Sequence, residues 1–368
     1  MFKIKKIETF IIQVPLHVPL KMSGVSIEHC DNMVVKVSAD NGMVGWGEAP
    51  YAPFFNGEIT RGMIAVVDFM KERLIDVEVK NIDEIKDILA VTIYGNSGAK
   101  SAIDMALHDL SGKILNKPLY DILGGSKREK VPMIWLVAGG EDEFKLLKER
   151  IDLGFVSFKL KVGTNEVTKD IERAYEAQKI LDHNYTLSAD ANQGFNREDA
   201  LTFSSKTGDI GLDFFEQPVN GKDIDSMIEC NVKSYAPIGV DEGIHNIDDI
   251  KKHHDLKAAN GGSLKMIKFG GVSQLFEAAN LMHSLGMHIN LAGKAANTSI
   301  GSAAIAHFTR SLPSLDWDAS LSSQYLADDI VYDPVQVSEG HIITPEDGPG
   351  LGIVIDEEKF KKYTVSAK

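Results

Sequence analysis

Cysteine is scarce in this sequence. Only Cys30 and Cys230 occur in 368 residues, far apart and without metal-ligand spacing. That excludes a disulfide framework and a thiolate metal site, and points to a reducing cytoplasm. Positive charge is in short supply too: 39 Lys and Arg stand against 53 Asp and Glu, a formal net charge of -14. Such a balance argues against a nucleic-acid-binding face and gives no support for an anionic membrane surface. No apolar run approaches the length of a membrane span. The opening "MFKIKKIETFIIQVPL" has neither a long apolar core nor a small-residue cleavage site, so it reads as a first strand rather than a signal peptide. No short-period repeat or low-complexity tract is present.

What is present divides into two textures. Up to "LGG" at Leu123–Gly125, strand-like runs ("IETFIIQVPL", "NMVVKVSADNGMVGWGEA") precede helical patterns near Gly57 to Leu74 and over "SGAKSAIDMALHDLSGKIL". Asn41-Gly42 predicts a two-residue hairpin turn inside the second run. This is an α+β domain over residues 1–125. From about Val131, short apolar runs alternate with amphipathic helices, the pattern of βα units on a parallel sheet. Eight candidate strands ("VPMIWLVAG", "FVSFKLKVG", "YTLSADANQ", "IGLDFFEQPV", "APIGVDEGI", "SLKMIKFGG", "MHINLAGKA", "SLDWDAS") predict a βα barrel over 126–320. The segment 321–368 is expected to pack back on the first domain.

Catalytic groups in such a barrel project from the C-terminal ends of its strands. There the second strand carries Lys159 and Lys161, the third Asp190 and Asn192, the fourth Glu216, the fifth Asp241 followed by Glu242, and the sixth Lys265 and Lys268. Three carboxylates on adjacent strands repel one another unless a cation intervenes. Oxygen-only donors suit Mg²⁺ better than Zn²⁺, which prefers His or Cys. With a lysine on each side, the set fits removal of a proton next to a carboxylate, the resulting enediolate being stabilised by the metal. Adjacent cations and burial are expected to lower the pKa of the lysine base. Two opposed lysines give a racemase or epimerase. One active lysine gives a syn-dehydratase or cycloisomerase.

The same residues make the chain resemble the enolase superfamily, in its muconate lactonizing enzyme subgroup. "GWGEA", "SAIDMALHDLSGKILNKPLYDILGG", "KLKVG", "DANQ", "EQP", "DE" and "KFGG" run in that family's order. Lys161, Asp190, Glu216, Asp241 and Lys265 follow one another at intervals of 24 to 29 residues, one βα unit each. The resemblance implies an N-terminal α+β capping domain on a modified (β/α)7β TIM-like barrel, and a symmetric homo-oligomer. It implies Mg²⁺ on Asp190, Glu216 and Asp241, with Lys161 and Lys265 as the acid/base pair. Lys159 would bind the substrate carboxylate or depress the pKa of Lys161, and Asn192, Glu242 and Lys268 would support the site.

Specificity is where the chain departs from the pattern. Lys294 ends the seventh strand, where many relatives have an acidic or small polar group. Asp316 and Asp318 in "LDWDAS" share a strand face and are similar to the Asp-x-Asp with which dipeptide epimerases of the subgroup hold a substrate ammonium. Trp317 could instead meet a cationic substrate through a cation–π contact. The other wall is expected from the Lys21–Ile27 loop and from Tyr51, Phe54 and Phe55. His253 and His254 read as a solvated helix face, His288 as core or support, and Trp46 and Trp135 as core. The reading is thus a Mg²⁺-dependent isomerase of a small carboxylate, most simply an amino-acid derivative or dipeptide. A Schiff-base aldolase through Lys161 or Lys265 and a non-catalytic binding protein are the competing classes.

Overall fold

Alternating apolar residues give the first domain its sheet. The sheet holds β1 (Ile4–Ile12), β4 (Asn32–Ala39) and β5 (Val44–Pro50), with β4 antiparallel between the other two, while β2 (Pro15–Met22) and β3 (Val25–His29) pair separately. The computed structural model describes residues 2–22, 25–53, 55–294, 296–345 and 348–366, without the side chains of 20–22, 25 and 26. The turn at Asn41-Gly42 is one residue longer than expected. The Ala39 amide donates to the Met43 carbonyl, and the Gly42 amide, with φ at 85°, donates to Ala39. A tight turn followed by a left-handed glycine is the three-residue solution to the same strand twist.

Helices α1 (Thr60–Leu74), α2 (Ile82–Thr92), α3 (Ser97–Leu115) and α4 (Leu119–Ile122) complete this domain. The stretch "GWGEA" explains how α3 lies against β5. A Cβ on Gly47 would collide with the Ala102 carbonyl, and one on Gly45 with that of Ala106. Glu48, fully buried, reaches into the second domain and accepts hydrogen bonds from Asn297, Thr298 and the Gly301 amide. Two buried aspartates on α3 do similar work. Asp104 accepts from the Ser273 amide, and Asp109 from the Trp46 and Leu351 amides.

After β6 (Val131–Pro132) come eight strands: β7 (Ile134–Val137), β8 (Ser157–Lys161), β9 (Thr186–Asp190), β10 (Phe215–Glu216), β11 (Ile238–Val240), β12 (Gly261–Leu264), β13 (His288–Ala292) and β14 (Ala319–Ser320). They pair in sequence order, all parallel, and a bridge from Met133 to Ala319 brings the ends together. Between them run α5 (Glu143–Asp152), α6 (Val167–Leu181), α7 (Arg197–Lys206), α8 (Ile224–Lys233), α9 (Ile247–Asp255), the short α10 (Met266–Phe269), α11 (Val272–Ser284) and α12 (Ser299–Ser311). With α10 an added turn, this is the (β/α)7β barrel with an α+β cap. The sixth strand is shorter than expected. It stops at Leu264, and "MIKF" turns into α10, ended by Gly270 at φ 94°.

The remaining chain adds β15 (Val337–Ser338) and β16 (His341–Ile342), the latter pairing with β6, then α13 (Glu357–Tyr363) and β17 (Thr364–Val365). β17 pairs with β1, and Phe360 packs edge-on to Phe10 and Trp46. His253, expected on a solvated face, is buried, because α9 turns that side inward against Gly243. Among the described residues no helix is long and apolar enough to cross a membrane.

The close approach of α3 to β5 gives a stability prediction. Gly47→Ala lowers unfolding free energy by about 3 kcal/mol, because two backbones must separate to admit one methyl. Gly62→Ala, in α1, where a Cβ would meet only the Ile59 side chain at an ordinary 3.4 Å, raises it by up to about 1 kcal/mol. Urea midpoints of the two variants measure the difference.

Candidate active site

Strand register assembles the mouth of the barrel. Lys161 is paired with Asp190 across β8 and β9, and Asp190 with Glu216 across β9 and β10. Asp241 follows β11 and Lys265 follows β12. Hence Lys161 and Lys265 lie four strands apart in a ring of eight, on opposite walls, with the three carboxylates on the strands between. All three carboxylates are buried.

Each carboxylate has an ammonium against it. Lys161 donates to Asp190 at 2.5 Å and to Asn192 at 2.8 Å. Lys159, buried deeper, contacts Glu216 and lies 4.9 Å over the Phe214 ring. Asp241 is held by Lys265 and, at 2.7 Å, by Lys268, which also donates to the Asp241 and Ser263 carbonyls. Among the described residues no three of these side chains close around one point as a metal cage. The donor set nonetheless suits a hard divalent cation. It is all oxygen and drawn from consecutive strands, and the buried Glu242 Oε2 has no hydrogen-bond partner. Burial, then repulsion from Asp241 and Asp190, pushes the Glu242 carboxyl up to about 8. A cation beside these groups would relieve that repulsion.

The carboxylates oppose the depressed lysine pKa expected from the sequence. Burial does push Lys161 down, but attraction to Asp190 and Glu216 outweighs it, and its pKa is raised. Lys265 is raised likewise, because Asp241 and Glu216 outweigh burial. The adjacent carboxylates, nearer than any cation, decide the sign.

Further residues shape the site. Gln217 accepts from the Asp241 and Gly243 amides, fixing the loop that presents Asp241 and Glu242. Its signal was the middle letter of "EQP". Asn192 is in the left-handed region (φ 42°) and bridges Lys161 to Glu242, its Nδ2 3.2 Å from Oε1. Ser263 contacts Glu216 and donates to Asn290, and Arg173 donates to the Lys161 carbonyl while pairing with Glu143 and Asp170. From the cap, Phe55 places its ring 4.7 Å from the Lys265 ammonium and 5.9 Å from that of Lys294. Tyr51 is exposed and makes no hydrogen bond to the site among the described residues. Phe54 and the side chains of Lys21 to Ser26 lie outside the described residues.

"LDWDAS" does not reach the mouth. Asp316, Trp317 and Asp318 precede β14, at the N-terminal end of the barrel. Asp316 contacts His288, the first residue of β13, and the Asp318 carbonyl accepts from the Leu291 amide. Trp317 stacks on Phe214 at 4.2 Å and abuts Gly239 and Gly261, plugging the barrel floor. The eighth strand begins at Ala319, so these three residues are its approach and not its exit. His288 is half-exposed, neither core nor in contact with Lys161 or Lys265.

Three carboxylates on consecutive strands, flanked by lysines at the exit of a (β/α)7β barrel and roofed by an α+β cap, define an enolase-superfamily enzyme. The family is more specific. Residues 6–124 match the mandelate racemase / muconate lactonizing enzyme N-terminal domain, and residues 144–359 match the enolase C-terminal domain-like model. The chain belongs to the mandelate racemase / muconate lactonizing enzyme family, in its muconate lactonizing subgroup. It is 30% identical to an N-succinyl-L-Arg/Lys racemase of Bacillus cereus, over 99% of this chain and 98% of that one. It is 27% identical to a chloromuconate cycloisomerase of Cupriavidus necator, over 99% and 100%. The crystal structure of muconate lactonizing enzyme from Pseudomonas fluorescens with muconolactone superposes with TM-score 0.94 at 28% identity, covering 99% of each chain. Enzymes of this family are typically Mg²⁺-dependent.

Trp317 and its neighbours yield a test of location. Trp317→Ala destabilises the fold by about 3–5 kcal/mol in chemical denaturation. Asp316→Asn leaves KM for any turned-over carboxylate within about twofold, since Asp316 faces the far end of the barrel.

Proposed function

We propose that the protein removes the α-proton of a carboxylate substrate by way of an enediolate and returns a proton to the opposite face, as a racemase or epimerase of an N-acylated amino acid. The observation that carries this reading is the pair Lys161 and Lys265 on opposite walls, four strands apart, with the carboxylates between them. Asp190, Glu216 and Asp241 would hold Mg²⁺. When bound, that ion supplies positive charge beside the substrate carboxylate and replaces the lysines as counter-charge to its ligands.

The chain's own groups then divide the work. Lys161 takes the proton from one face while Lys265 supplies one to the other, and the roles reverse for the second enantiomer. Asn192, within 2.8 Å of Lys161, orients that ammonium. Lys159 is committed to Glu216 and Asn290, so its part is to orient that carboxylate from below. Phe55 shields Lys265 from water. An acylated nitrogen is uncharged, whereas the free ammonium of a dipeptide would meet like charge among these lysines. The N-succinyl-L-Arg/Lys racemase supports the N-acyl reading. A muconate-type cycloisomerase is the second reading, favoured by the 27–28% identity to such enzymes; it needs the same proton step at one lysine only.

Solvent-deuterium exchange separates these readings. With an N-acyl amino acid, the wild type exchanges the α-proton of both enantiomers. Lys161→Ala is expected to lose exchange from one enantiomer by about 10²–10⁴-fold and Lys265→Ala from the other. Exchange without inversion of configuration would overturn the racemase reading. Asp241→Asn should weaken Mg²⁺ binding in calorimetry, independently of turnover.

A further inference from the structure

The oxygens of each carboxylate at the mouth have unlike partners. In Asp190, Oδ1 accepts from the Asn192 amide at 2.8 Å and Oδ2 from the Lys161 ammonium at 2.5 Å. In Asp241, Oδ1 accepts from Lys268 at 2.7 Å, while Oδ2 contacts Lys265. Glu216 sets Oε1 against the Ser263 hydroxyl and Oε2 against Lys159. Each aspartate thus has one oxygen on a lysine proposed above to carry protons. Its other oxygen is held by a different donor, an amide in one case and Lys268 in the other.

Lys268 is unlike the proton-carrying pair. Its side chain is 0% exposed, against 21% for Lys161 and 11% for Lys265. An ammonium has three protons to place, and Lys268 places them on Asp241 Oδ1, the Asp241 carbonyl and the Ser263 carbonyl, each at 2.7 Å. None is left for a substrate. The strand β12 stops at Leu264, and the turn of α10 brings Lys268 back to Asp241. A cation arriving at the mouth can displace Lys265 from Oδ2. Lys268 cannot follow, because its departure would strand two buried carbonyls and bury a charge without a partner. Asp241 then offers one oxygen only. Ca²⁺ gathers about six to eight oxygens and often takes both from one carboxylate, whereas Mg²⁺ demands octahedral geometry and keeps water at several positions. Rigid carboxylates presenting single oxygens suit the smaller ion.

We propose that Lys268 is a positioning residue that occupies one oxygen of Asp241 and thereby makes the mouth selective for Mg²⁺ over Ca²⁺. The proposal rests on the reading above, in which Asp190, Glu216 and Asp241 hold the metal. The Asn192 amide plays the matching part at Asp190, so two ligands on different strands are restricted in the same way.

Calorimetric titration of the substrate-free enzyme with magnesium chloride and with calcium chloride reads both affinities without turnover. The wild type should bind Mg²⁺ more tightly than Ca²⁺. Lys268→Met, similar in length but without a donor, should shift the ratio toward Ca²⁺ by about 10-fold or more. Lys268→Arg, which keeps a charged donor, should recover part of that shift. A merely structural role would weaken both ions in parallel. A ratio unmoved in Lys268→Met, with Mg²⁺ still bound by the wild type, therefore overturns the proposal and leaves the metal ligands standing. Circular dichroism confirms the fold of each variant. The wild type decides by itself where a variant does not fold: Ca²⁺ bound as tightly as Mg²⁺ also overturns the proposal. Absence of Mg²⁺ binding by the wild type overturns the metal reading as well.

Discussion

Like charges cannot be buried together without opposite charge between them, and the mouth of this barrel is arranged around that constraint. Asp190, Glu216 and Asp241 are forced into proximity by strand register, and each is buried. Stability therefore requires the lysines at neighbouring strand ends, and the proposed function requires the same lysines as proton carriers. The two demands meet in one geometry. An ammonium close enough to balance a carboxylate is also close enough to reach a substrate bound in the same place.

The cap follows from a second constraint, close approach of backbones. Gly45 and Gly47 let α3 lie on β5, and that contact sets where the Glu48 carboxylate emerges. Glu48 then ties the cap to the start of α12 and steadies the loop bearing Lys294. Asp104 and Asp109 on α3 secure the barrel and the C-terminal segment. A stretch that looks like a family signature is thus a set of inter-domain fastenings, one turn of chain away from the chemistry.

Electrostatics resisted a reading by proximity in sequence. Lys161 has Lys159 two residues away, which suggested a depressed pKa. In three dimensions Lys159 turns to Glu216 while Asp190 and Glu216 act on Lys161, and the sign reverses. Trp317 failed as a substrate contact for a related reason. Two aspartates and a tryptophan on one short strand looked like a binding face, yet the strand begins one residue later, and a ring that size fills the space left by Gly239 and Gly261.

The one-dimensional pattern was enough for what repeats. Hydrophobic period marked the eight strands and the helices between them, and the 24- to 29-residue spacing of Lys161, Asp190, Glu216, Asp241 and Lys265 assigned each to a strand end. Those positions follow from local periodicity and from the rule that such barrels carry chemistry at their exits. Tertiary structure alone decided the rest: that "KMIKF" leaves the strand for a helical turn, that Gln217 fixes the loop bearing Asp241, that Asn192 bridges Lys161 to Glu242, and that the Phe55 ring lies over Lys265. These depend on which side chains meet across the ring and across the two domains. Neighbours of that kind are separated by tens to hundreds of residues along the chain, beyond the reach of any local period.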